Sequence, residues 1–126
     1  MGVPEHESSA AVPAIGDPGE TGAEPLIENR TFDEMAVGDS AALKRTLSWR
    51  DIELFAVMSG DINPAHVDAE YARSDRFHRI VAHGMWGGAL ISTLLGTRLP
   101  GPGTIYLEQT LCFRHPVTIG DTVPPR

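Results

Sequence analysis

The sequence is short of cysteine and of basic residues, and both shortages exclude classes of protein. One cysteine, Cys112, leaves no internal disulfide and is typical of a reducing compartment. Ten Lys and Arg against 17 Asp and Glu give a net charge of −7, which argues against a nucleic-acid or anionic-membrane surface. No apolar run approaches the roughly 20 residues that span a bilayer. The N-terminal residues are acidic and lack an apolar stretch, so we do not expect them to be a secretory signal. We therefore expect a cytoplasmic protein with no nucleic-acid partner and no membrane partner.

The length of 126 residues suits one domain, with 41% hydrophobic and 21% charged residues. Residues 1–25 are rich in Pro, Gly, Glu, Ser and Ala and hold few large aliphatic side chains. Such a segment buries too little surface to offset its ordering entropy. We predict a disordered N-terminal extension over residues 1–25 and one domain over residues 26–126.

The first half of the domain carries clear signals for a helix. Ser48 and Asp51 form a capping-box pattern, and Gly60 is placed to end the helix that follows, so the pattern predicts a helix over Trp49–Ser59. A short strand is predicted before it, over residues 43–47. Asp68 is expected to cap a further short helix through Ala72.

The second half combines an apolar helix with a strand. Residues 84–95 hold no charge and are apolar all round, which predicts a helix buried on most sides and ended by Gly96. After a loop over residues 99–103, alternation predicts a half-buried strand over residues 104–114, and a turn near Gly120 leads into another strand. A buried helix needs more strands than these. We therefore expect a fragment of a longer domain, or strands supplied from elsewhere.

The most informative run is GDINPAH, over residues 60–66. Pro64 makes a continuous helix unfavourable, so the run is predicted to bend and to bring Asp61 and His66 together. A carboxylate and an imidazole that share one water form an acid–base pair.

Three stretches together resemble the MaoC-like dehydratase family. They are SGDINPAHVDAEYARSDRF over residues 59–77, which is similar to the hydratase 2 motif, IVAHGM over residues 80–85, and LPGPGTIY over residues 99–106. The resemblance spans residues 26–123. It implies an α+β hot-dog fold, an antiparallel sheet wrapped around a central apolar helix, here with incomplete C-terminal strands.

The resemblance also implies an activity. Family members that are (R)-specific enoyl-CoA hydratases add water reversibly to trans-2-enoyl-CoA, work as dimers and need no cofactor, since coenzyme A belongs to the substrate. The chain is also similar to the N-terminal hydratase domain of bifunctional enoyl-CoA hydratase/phosphate acetyltransferases. We therefore expect an acyl-CoA hydratase that forms a homodimer.

The resemblance assigns roles to six residues. It makes Asp61 and His66 the catalytic pair and Asn63 the residue that orients the pair or its water. For substrate binding it implies the Gly84 backbone N–H, at the helix start, as the donor to the thioester oxygen. The remaining two substrate-binding candidates are Ser92 and His83.

Other interpretations stay open. A thioesterase, a dehydratase of acyl-carrier-protein thioesters, or an inactive fragment that serves as an interaction module would also fit. No metal is expected, because His66, His78 and His83 lack ligand-like spacing. Finally, three basic side chains, which would suit the phosphates of coenzyme A, are more simply a solvated edge: Arg73, Arg76 and Arg79.

Overall fold

The computed structural model of the chain describes residues 27–124. The predicted extension over residues 1–25 lies outside them. A 3-10 turn at Phe32–Glu34 precedes the regular elements. These are β1 (Arg45–Thr46), α1 (Trp49–Ser59), α2 (Pro64–Val67), α3 (Ala69–Ser74), α4 (Gly84–Thr97) and β2 (Thr122–Val123). Within residues 27–124, no helix has the length and apolar character that a membrane crossing requires.

Helix α1 has the predicted bounds because both of its ends are specified locally. The Ser48 side chain accepts from the Asp51 backbone N–H at 3.2 Å, and the Asp51 carboxylate accepts from the Ser48 N–H at 2.8 Å. Arg45 donates to the same carboxylate at 2.7 Å. At the other end, Gly60 adopts φ +76° and donates to the Ala56 carbonyl, which is the left-handed cap that glycine favours. The predicted cap of the next helix is also confirmed, since Asp68 accepts from two N–H groups at the start of α3.

The contribution of this helix cap to stability depends on pH through the Asp51 carboxyl group. Burial raises its pKa, but the hydrogen bonds from Ser48 and Arg45 and the charge of Arg45 together outweigh burial, so the net pKa lies below its ordinary value. A carboxyl whose pKa is lower in the folded state stabilises the fold fully above its unfolded pKa of about 3.9, and this contribution is lost as pH falls through the folded pKa.

We therefore expect Asp51→Asn to flatten the acid side of the stability profile. The wild-type free energy of unfolding should fall as pH drops from about 5 towards 3, and the fall should be smaller in the variant. Urea titrations across this range measure both curves. Asp33→Asn is the control, since the Asp33 side chain makes no hydrogen bond or ion pair among residues 27–124. Parallel wild-type and Asp51→Asn curves would contradict the assignment.

The core joins the start of α1 to the start of α4. Leu47, Ile52 and Trp86 form its buried cluster. Strands β1 and β2 pair antiparallel, with Arg45 opposite Val123, and close one side of it. Leu47 strengthens this pairing, because its N–H donates to the Asp121 carbonyl at 2.9 Å. The C-terminal segment is thereby fixed beside the entry to α1.

The predicted strand over residues 104–114 is not formed. Ile105 is 77% exposed and Leu107 is 90% exposed, although a half-buried strand would bury one of its two faces. The physical reason is the lack of a partner: within residues 27–124 no second strand accepts a ladder of hydrogen bonds from this segment. Alternation in sequence indicates a strand only where another strand pairs with it.

Helix α4 also differs from its prediction in two respects. It continues through Gly96 and ends at Thr97. Its burial is one-sided rather than on most sides, since Trp86, Gly88 and Leu94 are buried while Met85 is 51% exposed. Without a paired strand over residues 104–114, the other face is covered only in part.

Two glycines of α4 nevertheless allow the close approach of this segment. A Cβ on Gly84 would lie 3.1 Å from the Phe113 ring, and one on Gly88 would lie 3.3 Å from Leu111 Cδ1. The side chains of Phe113 and Leu111 therefore rest on the first turns of α4.

The loop after α4 is held against the first described residues. Glu28 N–H donates to the Thr97 carbonyl at 2.7 Å, and Arg30 N–H donates to the Pro100 carbonyl at 2.8 Å. Gly101, at φ +96°, lies at the centre of this contact, where an added Cβ would stand 2.0 Å from the Glu28 carbonyl oxygen. Glycine is therefore required at position 101 for both conformation and space.

Candidate active site

The loop between α1 and α2 bends as predicted at Asn63 and Pro64. Pro64 occupies the first position of α2, where its missing N–H costs nothing. The Asn63 side-chain oxygen accepts from the Ala65 N–H at 3.0 Å, and the Asn63 N–H donates to the Asp61 carboxylate at 3.2 Å. The side chain of Asn63 thus caps α2, while its backbone N–H is the group that contacts Asp61.

His66 lies on α2 and is oriented by a backbone carbonyl. Its Nδ1 is 2.7 Å from the Val81 carbonyl oxygen. A carbonyl only accepts, so Nδ1 carries the proton, and Nε2 of the neutral ring has a free lone pair. Val81 is itself fixed by a bridge to Thr118, and the neighbouring Ala82 N–H donates to the Val117 carbonyl at 2.8 Å.

His83 is the residue just before α4 and is only 2% exposed. Its Nε2 donates to the backbone carbonyl of Asp61 across 2.8 Å. Its ring centroid lies 4.0 Å from that of His66 and 4.8 Å from that of Phe55. Sequence reasoning treated His83 as a substrate-binding residue, whereas the structure gives it two contacts with the acid–base pair.

The bend brings the predicted pair together. A carboxylate oxygen of Asp61 and one ring nitrogen each of His66 and His83 lie within 4.8 Å of one another. Asp61 is exposed, His66 is half-buried and His83 is buried. An exposed carboxylate beside an imidazole with a free lone pair is the arrangement that the handling of a water molecule needs.

Asp61, His66 and His83 are also close enough to one another to hold a metal ion between them. His78, which was considered with His66 and His83 as a metal ligand, does not belong to this cluster. The two imidazoles face each other with a tilt of 35°. One nitrogen of each ring already has a backbone partner, since His66 Nδ1 contacts the Val81 carbonyl and His83 Nε2 contacts the Asp61 carbonyl. The expectation of no metal stays a prediction.

A cavity of 460 Å³ opens beside the pair. His66, His83 and Gly84 line it, together with Trp86 and Phe113. Gly84 is the first residue of α4, where backbone N–H groups have no partner within the helix. The cavity therefore combines the imidazoles of His66 and His83, a helix N-terminus and apolar walls. Phe113 was missed as a wall residue, because alternation assigned it to a paired strand.

Ser92 is not brought to this site. It lies eight residues after Gly84 on α4, which is about 12 Å along a helix axis. It is exposed and does not line the cavity. Of the six predicted site residues, His66, His83 and Gly84 line the cavity, Asp61 and Asn63 lie on the adjoining loop, and Ser92 stands apart.

A second hollow of 330 Å³ adjoins the first at Arg76 and Phe77. Arg79 also lines it, whereas Arg73 does not. Asp121 lies in the same wall, and hydrogen bonds from the Thr118 backbone and hydroxyl hold the pKa of its carboxyl below the ordinary value. The hollow is thus of mixed charge, and the three arginines do not form one basic patch in its walls.

Comparison with known proteins gives consistent matches. The profile of the family described as "MaoC like domain" matches residues 34–126. An (R)-specific enoyl-CoA hydratase of Rhodospirillum rubrum is 53% identical over 73% of this chain and 64% of its own length. A 3-hydroxybutyryl-CoA dehydratase of Methylorubrum extorquens is 47% identical over 73% of this chain and 59% of its own length.

A solved structure supports the same relationship. The unliganded R-hydratase PhaJ1 of Pseudomonas aeruginosa superposes with a TM-score of 0.74 at 49% identity, over 78% of this chain and 63% of that one. This likeness confirms the predicted α+β hot-dog fold. The chain spans less than two thirds of the length of the relatives named here.

Proposed function

Since the chain belongs to the MaoC-like domain family, we propose that it is an (R)-specific enoyl-CoA hydratase. The reaction is the reversible syn addition of water to trans-2-enoyl-CoA, giving (R)-3-hydroxyacyl-CoA. The observation that carries the proposal is the convergence of Asp61 and His66 beside a cavity that the start of α4 lines.

In the proposed reaction, water is held between the Asp61 carboxylate and His66. Water is a weak nucleophile, so one of its protons must pass to a base as its oxygen bonds to C3. His66 Nε2, whose lone pair is free because Nδ1 donates to Val81, suits that step. His66 then returns this proton to C2, so that one water molecule is added and His66 regains its neutral form. Because the water and the proton both come from Asp61 and His66, whose polar atoms lie within 4.8 Å of each other, both additions occur on one face of the double bond.

The electrons of the double bond pass to the thioester oxygen during this attack. The Gly84 N–H at the N-terminus of α4 is the proposed donor to that oxygen, where the helix dipole stabilises developing negative charge. Glycine at this position keeps the backbone open to the thioester, and the Phe113 ring, which lies over Gly84, bounds the space for the acyl chain.

The remaining parts of the proposal follow from this chemistry. Coenzyme A arrives with the substrate, so no separate cofactor enters the reaction. The exposed apolar side chains of residues 105–113 suit a second copy of the chain, which supports a homodimer. A cytoplasmic location matches the acyl-CoA substrate.

An assay with crotonyl-CoA tests the activity and separates it from its rivals. We expect loss of the ultraviolet absorbance of the conjugated enoyl thioester without release of free thiol, and chiral chromatography of the product should give the (R) isomer. Release of thiol would indicate a thioesterase. Turnover of crotonyl-acyl-carrier protein but not of crotonyl-CoA would indicate a carrier-protein dehydratase, and no turnover of any thioester would favour an interaction module.

A further inference from the structure

His83 is a buried side chain that contacts both members of the proposed acid–base pair. Among residues 27–124, His83 is the buried residue with a polar side chain. Its Nδ1 has no hydrogen-bond partner within these residues. An unpaired polar atom in the interior costs stability, so its presence calls for a physical reason. The other edge of the ring supplies one, since Nε2 donates to the Asp61 carbonyl.

We infer that His83 is a positioning residue that sets the distance between the Asp61 carboxylate and the His66 ring. This inference rests on the proposed function and deepens it. His83 acts on Asp61 through the Nε2–H hydrogen bond and on His66 through the contact of ring faces at 4.0 Å. One side chain at the start of α4 thereby ties together two residues of a separate loop and helix.

The loop needs such a tie. Asp61 lies beyond the end of α1, where its side chain is exposed; its N–H donates to the Ser59 hydroxyl and its carboxylate accepts from the Asn63 N–H, each at 3.2 Å. Both partners lie only two residues away, so neither bond ties the loop to the core. Misplacing a reacting group by about 1 Å costs on the order of 100-fold in rate. The hydrogen bond from a residue that α4 and the core hold in place removes this freedom.

The His66 ring is restrained from two sides. Its Nδ1–H donates to Val81, and its face packs on His83, which in turn packs on Phe55 of α1. The hydrogen bond fixes the direction of Nε2, and the ring contact blocks rotation away from it. Together the two restraints hold the His66 ring in one orientation.

A direct contact of His83 with substrate is the rival explanation, because His83 also lines the cavity. The two roles differ in kinetics. Loss of a substrate contact raises KM, whereas loss of positioning lowers kcat and leaves KM unchanged.

Two substitutions separate the contacts that His83 makes. In His83→Gln the side-chain amide reaches the place of Nε2 and keeps the donor to Asp61. In His83→Phe the ring stays, but the donor is lost. We expect kcat for crotonyl-CoA to fall less than about tenfold in His83→Gln and about 100-fold in His83→Phe, with KM within threefold of wild type in both.

The ratio of the kcat values of His83→Gln and His83→Phe decides between the two roles. A kcat at least threefold higher in His83→Gln than in His83→Phe, with both KM values unchanged, supports positioning, and any other pattern overturns it. Should His83→Phe fail to fold, His83→Asn replaces it, since its amide stands too close to the backbone to reach Asp61. His78→Asn is the control, because His78 is exposed and also contacts a backbone carbonyl, that of Arg73.

A readout without substrate keeps this test separate from that of the proposed function. Long-range ¹⁵N–¹H spectra of the imidazoles should show the proton of His83 on Nε2 and that of His66 on Nδ1. Replacing His83 by Phe should broaden or shift the His66 ring signals, while His78→Asn should leave them unchanged. An inactive wild-type chain with these spectral effects would refute the hydratase proposal alone. Unchanged His66 signals in His83→Phe would refute the positioning role alone.

Discussion

Asp61→Asn and His66→Ala should each lower kcat for crotonyl-CoA hydration by about 10²–10⁴-fold, the range for loss of a general acid or base. The amide introduced by Asp61→Asn keeps the shape of the carboxylate but loses the negative charge that holds the water, and His66→Ala removes the proton-accepting Nε2 altogether. Because Asp61 is exposed and His66 only half-buried, neither change should unfold the protein. Steady-state kinetics with circular dichroism melting curves measures both effects.

The matched controls for these variants lie away from the site. Asp33→Asn removes an exposed carboxylate, and His78→Asn removes an exposed imidazole. Both should keep wild-type turnover. If either Asp61→Asn or His66→Ala retained near-normal kcat, the assignment of the pair would be wrong. A double variant no slower than the worse single variant would show that the two residues act as one unit.

The largest effect on stability is expected for Gly101→Ala. An alanine there would need φ +96°, and its Cβ would stand 2.0 Å from the Glu28 carbonyl oxygen. Left-handed backbone costs about 1–2 kcal/mol for a residue with Cβ, and overpacking adds about 1–3 kcal/mol. Backbone cannot rotate away as a side chain would. We therefore expect a loss of stability of about 2–5 kcal/mol, the sum of these two costs, measured by urea unfolding.

Gly103 provides the control for this prediction. It has φ +92°, close to that of Gly101, but an added Cβ would meet nothing within 4 Å. Gly103→Ala should therefore show the cost of the backbone conformation alone, about 1–2 kcal/mol. The difference between the two variants measures the contact with the Glu28 segment. Equal losses would mean that this segment is not packed on the loop.

The parts of the fold that could be predicted from sequence are those that neighbouring residues determine. The bounds of α1 follow from Ser48, Asp51 and Gly60, all close to the helix ends. The bend at Pro64 follows from the proline ring. The prediction of a strand over residues 104–114 was wrong because strand pairing depends on residues far away in the chain. Alternation within one segment carries no information about such a partner.

The same distinction applies to the candidate site. Asp61 and His66 were predicted to meet because a short bend connects them. The partners that orient them lie further off: Val81 is 15 residues from His66, and His83 is 22 residues from Asp61. No spacing rule connects such pairs. Asn63 shows the opposite case, since its side chain follows the local rule for a helix cap.

The acceptors for both histidines are main-chain carbonyls, of Val81 and Asp61. A peptide carbonyl is present whatever amino acid the codon specifies. Single-nucleotide changes at Val81 therefore cannot delete the acceptor that fixes the imidazole tautomer, and they reach it only by displacing the chain. Substitutions of Val81 should therefore keep the proton of His66 on Nδ1. Substitutions of His66 or His83 remove the imidazole itself.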